Sequence, residues 1–174
     1  MPLNALPDSF RTSRLEAERL SPDHLADLIE FHRDVDVMAH LGGVRDEQQT
    51  AEYLSRNLEH WAEHGFGVWI LRERAGSQPI GRGILRYLTL DGKRELEIGF
   101  AFYPAFWGRG LATEIATRCA ELAWHDLAAE SLVGVTTPAN TASQRVLQKV
   151  GLQFEREVVV EEATYVLYRG GRDS

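Results

Sequence analysis

Trp107-Gly108-Arg109-Gly110-Leu111-Ala112 is the stretch that decides how this chain folds. Upstream of it, Arg94 to Tyr103 reads as a strand. Downstream, Leu111, Ile115, Cys119, Leu122 and Ala123 recur at the 3.6-residue spacing of one helical stripe. Two glycines therefore sit where a strand hands over to a helix. Such a turn leaves several backbone N–H groups unpaired at the positive end of the helix, and glycine lets an anion approach them closely. A pyrophosphate is a natural occupant, and Arg109 can add a charged contact to it or to a terminal phosphate. Glycines also serve tight turns that bind nothing, so this feature alone leaves both readings open. The turn lacks the Gly-Lys-Ser/Thr of a P-loop, and it lacks the third glycine and chain-start βαβ setting of a dinucleotide fold.

Working outward, Phe66 to Glu73 and Pro79 to Leu88 are further strand-like runs, and Leu90-Asp91-Gly92-Lys93 carries the Asp-Gly signal of a tight hairpin. This part of the sheet is therefore expected to be antiparallel. Nearer the start, Arg14 to Leu20 alternates Leu15 and Ala17 with charged residues, and Ser21-Pro22-Asp23 opens a helix carrying Leu25, Leu28, Ile29 and His32. A second helix starts after Asp46, carries Tyr53, Leu54, Leu58 and Trp61, and stops at Gly65. Between the two, Ala39 to Arg45 with Gly42 and Gly43 is a candidate mobile, substrate-side loop. On the far side come a strand from Ser131 to Thr137 ended by Pro138, a helix from Ala142 to Val150 closed by Gly151, and strands from Leu152 to Val160 and Ala163 to Arg169. The order predicts an α/β fold: a mixed, largely antiparallel sheet covered by helices on both faces, in one domain spanning 1–174.

The 174 residues, 44% of them hydrophobic, suffice for a sizeable core. Lys and Arg total 19 against 26 Asp and Glu, a formal charge of -7, which disfavours a nucleic-acid partner. An acidic surface can steer a cationic amine or simply keep the protein in solution. Cys119 is the one cysteine, which excludes an internal disulfide and a Cys-x-x-Cys metal or redox site. Met1 to Phe10 lacks the basic start and apolar core of a secretion signal, and no run of about 18 apolar residues spans a bilayer, so a cytoplasmic location without membrane attachment is expected. The six histidines share no metal-ligand spacing with cysteine or acidic partners; His60 and His64, four apart, read as surface residues, and no metal is expected.

At this point the chain resembles the GNAT superfamily of N-acetyltransferases, and within it the RimJ/RimL-like branch of bacterial ribosomal-protein N-terminal acetyltransferases. The hallmark Gln/Arg-x-x-Gly-x-Gly/Ala is met by Trp107 to Ala112 with Trp in the leading position, and it extends through Glu97-Ile98-Gly99-Phe100 and Thr113-Glu114. A second block, Asn140-Thr141-Ala142-Ser143 through Lys149-Val150-Gly151-Leu152, matches in order, as do Gly65 to Trp69 and Ile80-Gly81. The resemblance implies a V-shaped cleft between the strand ending near Phe102 and the strand beginning near Ser131, with acetyl-CoA as the donor substrate. Gly108, Arg109, Gly110, Leu111, Ala112 and Thr113 would hold its phosphates. The strand edge at Phe100, Ala101 and Phe102 would bind the pantetheine arm and polarise the thioester carbonyl.

The implied reaction is direct attack by a primary amine, of a small molecule or a protein N-terminus, with no covalent enzyme intermediate; Cys119 is then a packing residue. An α-amino group titrates near ~8 and a lysine near ~10.4, so an amine arrives protonated and needs a base. Glu97 is the first candidate, set against a surface glutamate facing solvent beside Glu95; Glu161 and Glu162 are alternatives. Ser143 is the candidate donor to the departing thiolate and Asn140 to the pantetheine amide, set against plain helix capping by both. Tyr165 and Tyr168 are further acid candidates. Trp69 or Trp107 can wall the acyl or acceptor pocket, although Trp61, Phe66 and Trp69 also read as core. A monomer or homodimer is compatible with all of this. The competing function is an acyl-CoA-binding sensor or scaffold that shares the fold and has lost turnover.

Overall fold

In the computed structural model, which describes residues 5–172, β1 (Ser9–Arg11) pairs with β2 (Leu15–Arg19), and the alternating pattern of β2 buries Leu15 and Ala17 while Glu18 faces out. Residues 1–4, part of the stretch considered for a secretion signal, lie outside the described residues, as do 173–174 of the proposed domain. β1 is too short to leave a periodic trace and is not among the expected elements.

Helix α1 (Leu25–Arg33) follows a short 3-10 turn at Pro22–His24, where the Ser21 N–H donates to His24 Nδ1 at 3.0 Å. Asp34 then caps an unexpected single turn, α2 (Val35–Met38), accepting from the Val37 N–H. Helix α3 (Glu47–His64) opens on a reciprocal capping box between Asp46 and Gln49 and closes at Gly65 with φ 75°. The strands β3 (Val68–Glu73), β4 (Pro79–Leu90) and β5 (Lys93–Phe102) form the antiparallel meander. Asp91 (φ 50°) and Gly92 (φ 76°) make its two-residue turn, so β4 runs two residues further than its apolar pattern alone predicted.

Helix α4 (Leu111–Glu121) widens into a π turn at Leu122–Asp126, a change the helical periodicity does not announce. Then come β6 (Ser131–Thr136), α5 (Thr141–Lys149), β7 (Gln153–Val160) and β8 (Ala163–Gly171). The eight strands form one sheet in the order β1-β2-β3-β4-β5-β6-β8-β7. Every neighbouring pair is antiparallel except β5 and β6.

Helices cover both faces of this sheet. A Cβ on Gly83 would lie 2.7 Å from Ile115 Cγ1, so that face of β4 sits directly beneath α4. The adjacent Arg82 points the other way and meets His32 of α1 and the ring of Tyr53 of α3. Trp61 and Trp69 pack edge to face at 5.3 Å in the core beside Phe66, all three buried. Among the described residues no helix is long and apolar enough to cross a membrane.

Candidate functional site

The parallel junction shapes the site. β5 and β6 are in register at Glu97↔Val133; no ladder pairing continues past it, and the β5 edge at Phe100–Phe102 is left facing an opening between the two strands. This is the V-shaped cleft. Phe102 is buried, while Phe100 and Ala101 are half-buried. The indole Nε1 of Trp107 donates to the Phe102 carbonyl at 2.8 Å and fastens the turn to the end of β5.

Gly108 (φ 71°) and Gly110 (φ 77°) both occupy the left-handed region, which ordinary side chains enter at a cost. Gly110 is the N-cap of α4, and among the described residues no side chain caps that helix, so the first-turn N–H groups at Leu111, Ala112 and Thr113 have no side-chain cap there. A Cβ on Gly108 would meet nothing within 4 Å. The open, uncapped helix start expected from the sequence is therefore present.

Its charged neighbours differ from expectation. The Arg109 guanidinium is turned to Glu73 at the end of β3 (2.7 Å), and its carbonyl accepts from Arg14 Nη1 at 2.6 Å. Arg14, just before β2, also holds Glu114 through Nε at 2.7 Å, while Thr12 Oγ1 donates to the same carboxylate at 2.6 Å. Burial by itself would raise the Glu114 carboxyl, but these contacts and the Arg14 N–H outweigh it and hold it below the usual carboxylate range. Arg14 lies about a hundred residues from the turn it braces, and no local pattern joins the two.

On the β6 side, Asn140 caps α5: its Oδ1 accepts from the Ser143 N–H at 3.1 Å. The capping role is thus real for Asn140, and Ser143 begins the helix half-buried. Glu97 is not the solvent-facing surface glutamate that was set against its reading as the base. Its side chain is 13% exposed and accepts from Arg86 Nε at 2.9 Å, while Glu95 is held in the same way by Arg169. The charge of Glu97 holds the Arg86 guanidinium firmly protonated, above its ordinary range. Glu161 (φ 48°) and Glu162 (φ 66°) are exposed in the two-residue turn between β7 and β8. Tyr168 is buried and donates to Gln144 Oε1 at 2.9 Å, which leaves Tyr165 the more accessible of the two tyrosines. Cys119 is fully buried, and burial pushes its thiol up to about 12, as a packing residue requires.

Residues 14–153, most of the chain, match the family described as the acetyltransferase (GNAT) domain. The chain belongs to this family. It is accordingly an acetyltransferase. It is 28% identical over 161 residues to the FsC-acetyl coenzyme A-N(2)-transacetylase of Aspergillus fumigatus, covering 87% of this chain and 67% of that protein. Among solved structures, an acetyltransferase from Agrobacterium tumefaciens superposes with a TM-score of 0.82 at 23% identity, covering 95% of each chain. RimL, a ribosomal L7/L12 alpha-N-protein acetyltransferase solved in complex with coenzyme A, superposes with a TM-score of 0.75 at 13% identity, covering 92% of this chain and 95% of its own. These two superpositions establish the fold.

Two histidines of this acetyltransferase lie where the sequence did not put them. His60 and His64 are half-buried rather than on the surface; His60 Nδ1 meets the Phe66 carbonyl at 2.8 Å and Nε2 accepts from the Tyr87 N–H at 2.9 Å. Trp69 is sealed in the core and walls no pocket, whereas Trp107 is 54% exposed beside the turn. His40 Nδ1 lies 2.7 Å from Thr137 Oγ1 and ties the Ala39 to Arg45 loop to the end of β6. His32 is fully buried, with Nδ1 2.9 Å from Thr50 Oγ1 and Nε2 facing both Arg82 Nη1 (3.0 Å) and Arg45 Nη1 (3.2 Å). Burial, and then the charges of Arg82 and Arg45, drive the His32 pKa down to about 3, so the ring is neutral. Among the described residues no cluster of three or more His, Cys, Asp or Glu could hold a metal.

Proposed function

We propose that this acetyltransferase binds acetyl-CoA in the cleft between β5 and β6 and passes the acetyl group to a primary amine by direct attack in a ternary complex. One observation carries the proposal: β5 has no ladder pairing with β6 beyond Glu97, and Trp107 fastens the start of α4, which has no side-chain cap, to the end of β5 at the Phe102 carbonyl. Members of the family use acetyl-CoA. The pyrophosphate meets the backbone N–H groups from Gly108 through Gly110 to Leu111, Ala112 and Thr113, where glycine leaves room and the helix dipole is positive. Arg109 can join it, because an ion pair as exposed as Arg109–Glu73 is worth little and exchanges readily. The pantetheine arm adds to the β5 edge at Phe100, Ala101 and Phe102, and Asn140, with Oδ1 already engaged in capping, offers its Nδ2 to a pantetheine carbonyl.

The amine nitrogen then attacks the thioester carbon while a β5 N–H stabilises the developing oxyanion. Glu97 takes the amine proton directly or through a water, Arg86 fixing its orientation. The C–S bond breaks, and Ser143 hydrogen-bonds the leaving thiolate. The names of the two functionally described relatives, an N(2)-transacetylase and an alpha-N-protein acetyltransferase, support nitrogen as the acceptor atom.

A screen of peptides with different N-termini, polyamines, amino acids and aminoglycosides, read by thiol release from acetyl-CoA, tests the proposal. Release above the amine-free background with at least one class is expected. Tight coenzyme A binding with no amine-dependent release across the panel would overturn it.

A further inference from the structure

We propose that Arg45 and Arg82, with Tyr53, form a recognition site for a carboxylate on the acceptor, so that the preferred substrate is an amine bearing an acidic group a few bonds from the nitrogen. The inference rests on the acetyl-transfer reading above and narrows its acceptor class.

Arg82 is only 4% exposed, and its Nε is one of two buried side-chain polar atoms without a hydrogen-bond partner among the described residues. The other is the hydroxyl of Tyr53, whose ring centroid lies 4.8 Å from the Arg82 guanidinium and 4.9 Å from that of Arg45. Neither arginine makes an ion pair among the described residues. Both instead point at one acceptor, His32 Nε2, and a neutral imidazole nitrogen offers a single lone pair, so they cannot both be well bonded at once. The one carboxylate that acts on Arg82, Glu97, is already bound by Arg86. Arg82 and Arg86 therefore share one carboxylate, and Arg45 has no carboxylate acting on it among the described residues, in a chain whose overall charge is -7. Desolvation lowers the pKa of both Arg82 and Arg45, as expected for charges the protein does not compensate.

The location suits an acceptor group. Arg82 pairs directly with Ala101 across β4 and β5, so its side chain shares a sheet face with Ala101, one strand spacing (about 4.8 Å) from the edge that takes the thioester. A carboxylate held there places an amine two or three bonds away beside the reacting carbon. Arg45 arrives on the loop that follows Gly42 (φ 92°) and Gly43 (φ 84°), and its guanidinium meets the same His32 Nε2 as that of Arg82. A forked guanidinium pair with a free tyrosine hydroxyl matches a carboxylate, which accepts several hydrogen bonds in a plane.

The test compares each of several amino acids with its carboxamide, and acidic tripeptides with their amidated counterparts, in the thiol-release assay. The first arm reads a free α-carboxylate and the second a side-chain carboxylate next to an N-terminus. Titration of the same compounds in the presence of coenzyme A reads binding without turnover, so failure of the transfer chemistry is distinguishable from failure of the recognition. The acid is expected to exceed its amide by about 10–100-fold in kcat/KM and in affinity, in at least one arm. Arg45→Gln should bring that ratio toward one, chiefly through KM. Arg82→Met should do the same while holding or raising Tm, because it removes an uncompensated buried charge. Equal handling of acid and amide by the native protein overturns the proposal. So does a loss in both variants that falls equally on acid and amide, with the folds intact, since a structural role predicts that result.

Discussion

Replacing Glu97 with Gln is expected to lower kcat for acetyl transfer by about 10²–10⁴-fold, the usual contribution of a positioned general base. The amide keeps the shape of the side chain and one oxygen for Arg86 Nε, which lies 2.9 Å from Glu97 Oε2 in the native protein, so the strand pairing Arg86↔Glu97 survives and coenzyme A affinity should change little. What disappears is the ability to take a proton from the incoming ammonium, and the acidic limb of the pH–rate profile should flatten. The ion pair is partly exposed on the Arg86 side (33%), so its loss costs on the order of 1 kcal/mol of stability, too little to unfold the chain. Unchanged rate and profile in Glu97→Gln would remove it as the base and return attention to the β7–β8 turn.

Gly81→Ala is the second large effect, and it acts through the backbone. An added Cβ would lie 2.3 Å from the Ala101 carbonyl oxygen and 2.7 Å from Phe102 Cδ1. The first of these is main chain and cannot swing aside, so β4 and β5 must part at the point where the thioester is proposed to sit. Overpacking of this kind costs about 1–3 kcal/mol, which for a chain of this size lowers Tm by roughly 2–12 °C. Acetyl transfer should fall with it, since the β5 edge carries the proposed oxyanion donor. Gly108→Ala offers a contrast: it meets no atom and is disfavoured only by its positive φ. A Gly81→Ala protein that melts with the native one would show that the close approach of the strands carries no weight.

What the sequence disclosed and what it withheld divide along the range of the interactions. The Asp91-Gly92 turn, the Gly65 stop, the buried stripe of α4 and the glycines at 108 and 110 are governed by neighbours within a few residues, and each was legible. Collinear motif blocks then supplied the cleft between β5 and β6, which no local pattern specifies. The contacts that set the electrostatics of the site were hidden because they depend on strand register and helix placement. Nothing near Arg14 announces Glu114, nothing near Glu97 announces Arg86, and the convergence of Arg45 and Arg82 on His32 joins a loop, a strand and a helix. The Glu161-Glu162 turn was legible only from the strand bounds on either side: two glutamates at positive φ run against residue preference, and the strand pairing overrides it. The surface reading of His60 failed, and the solvent-facing alternative for Glu97 fell with it, since polarity in a sequence does not tell a half-buried, bonded group from a solvated one.

Whether the Trp107 to Ala112 turn holds the donor is tested most directly by calorimetric titration of coenzyme A into the native chain and into Gly110→Asp. Aspartate tolerates the left-handed backbone of this position, and its Cβ would approach only Arg14 Nη2, at 3.4 Å, so the fold should persist. Its carboxylate would occupy the first-turn N–H groups and repel a pyrophosphate. Saturable binding by the native chain is predicted, with a loss of affinity of about 100-fold or more in the variant. Equal affinity in both proteins would contradict a donor site at this turn.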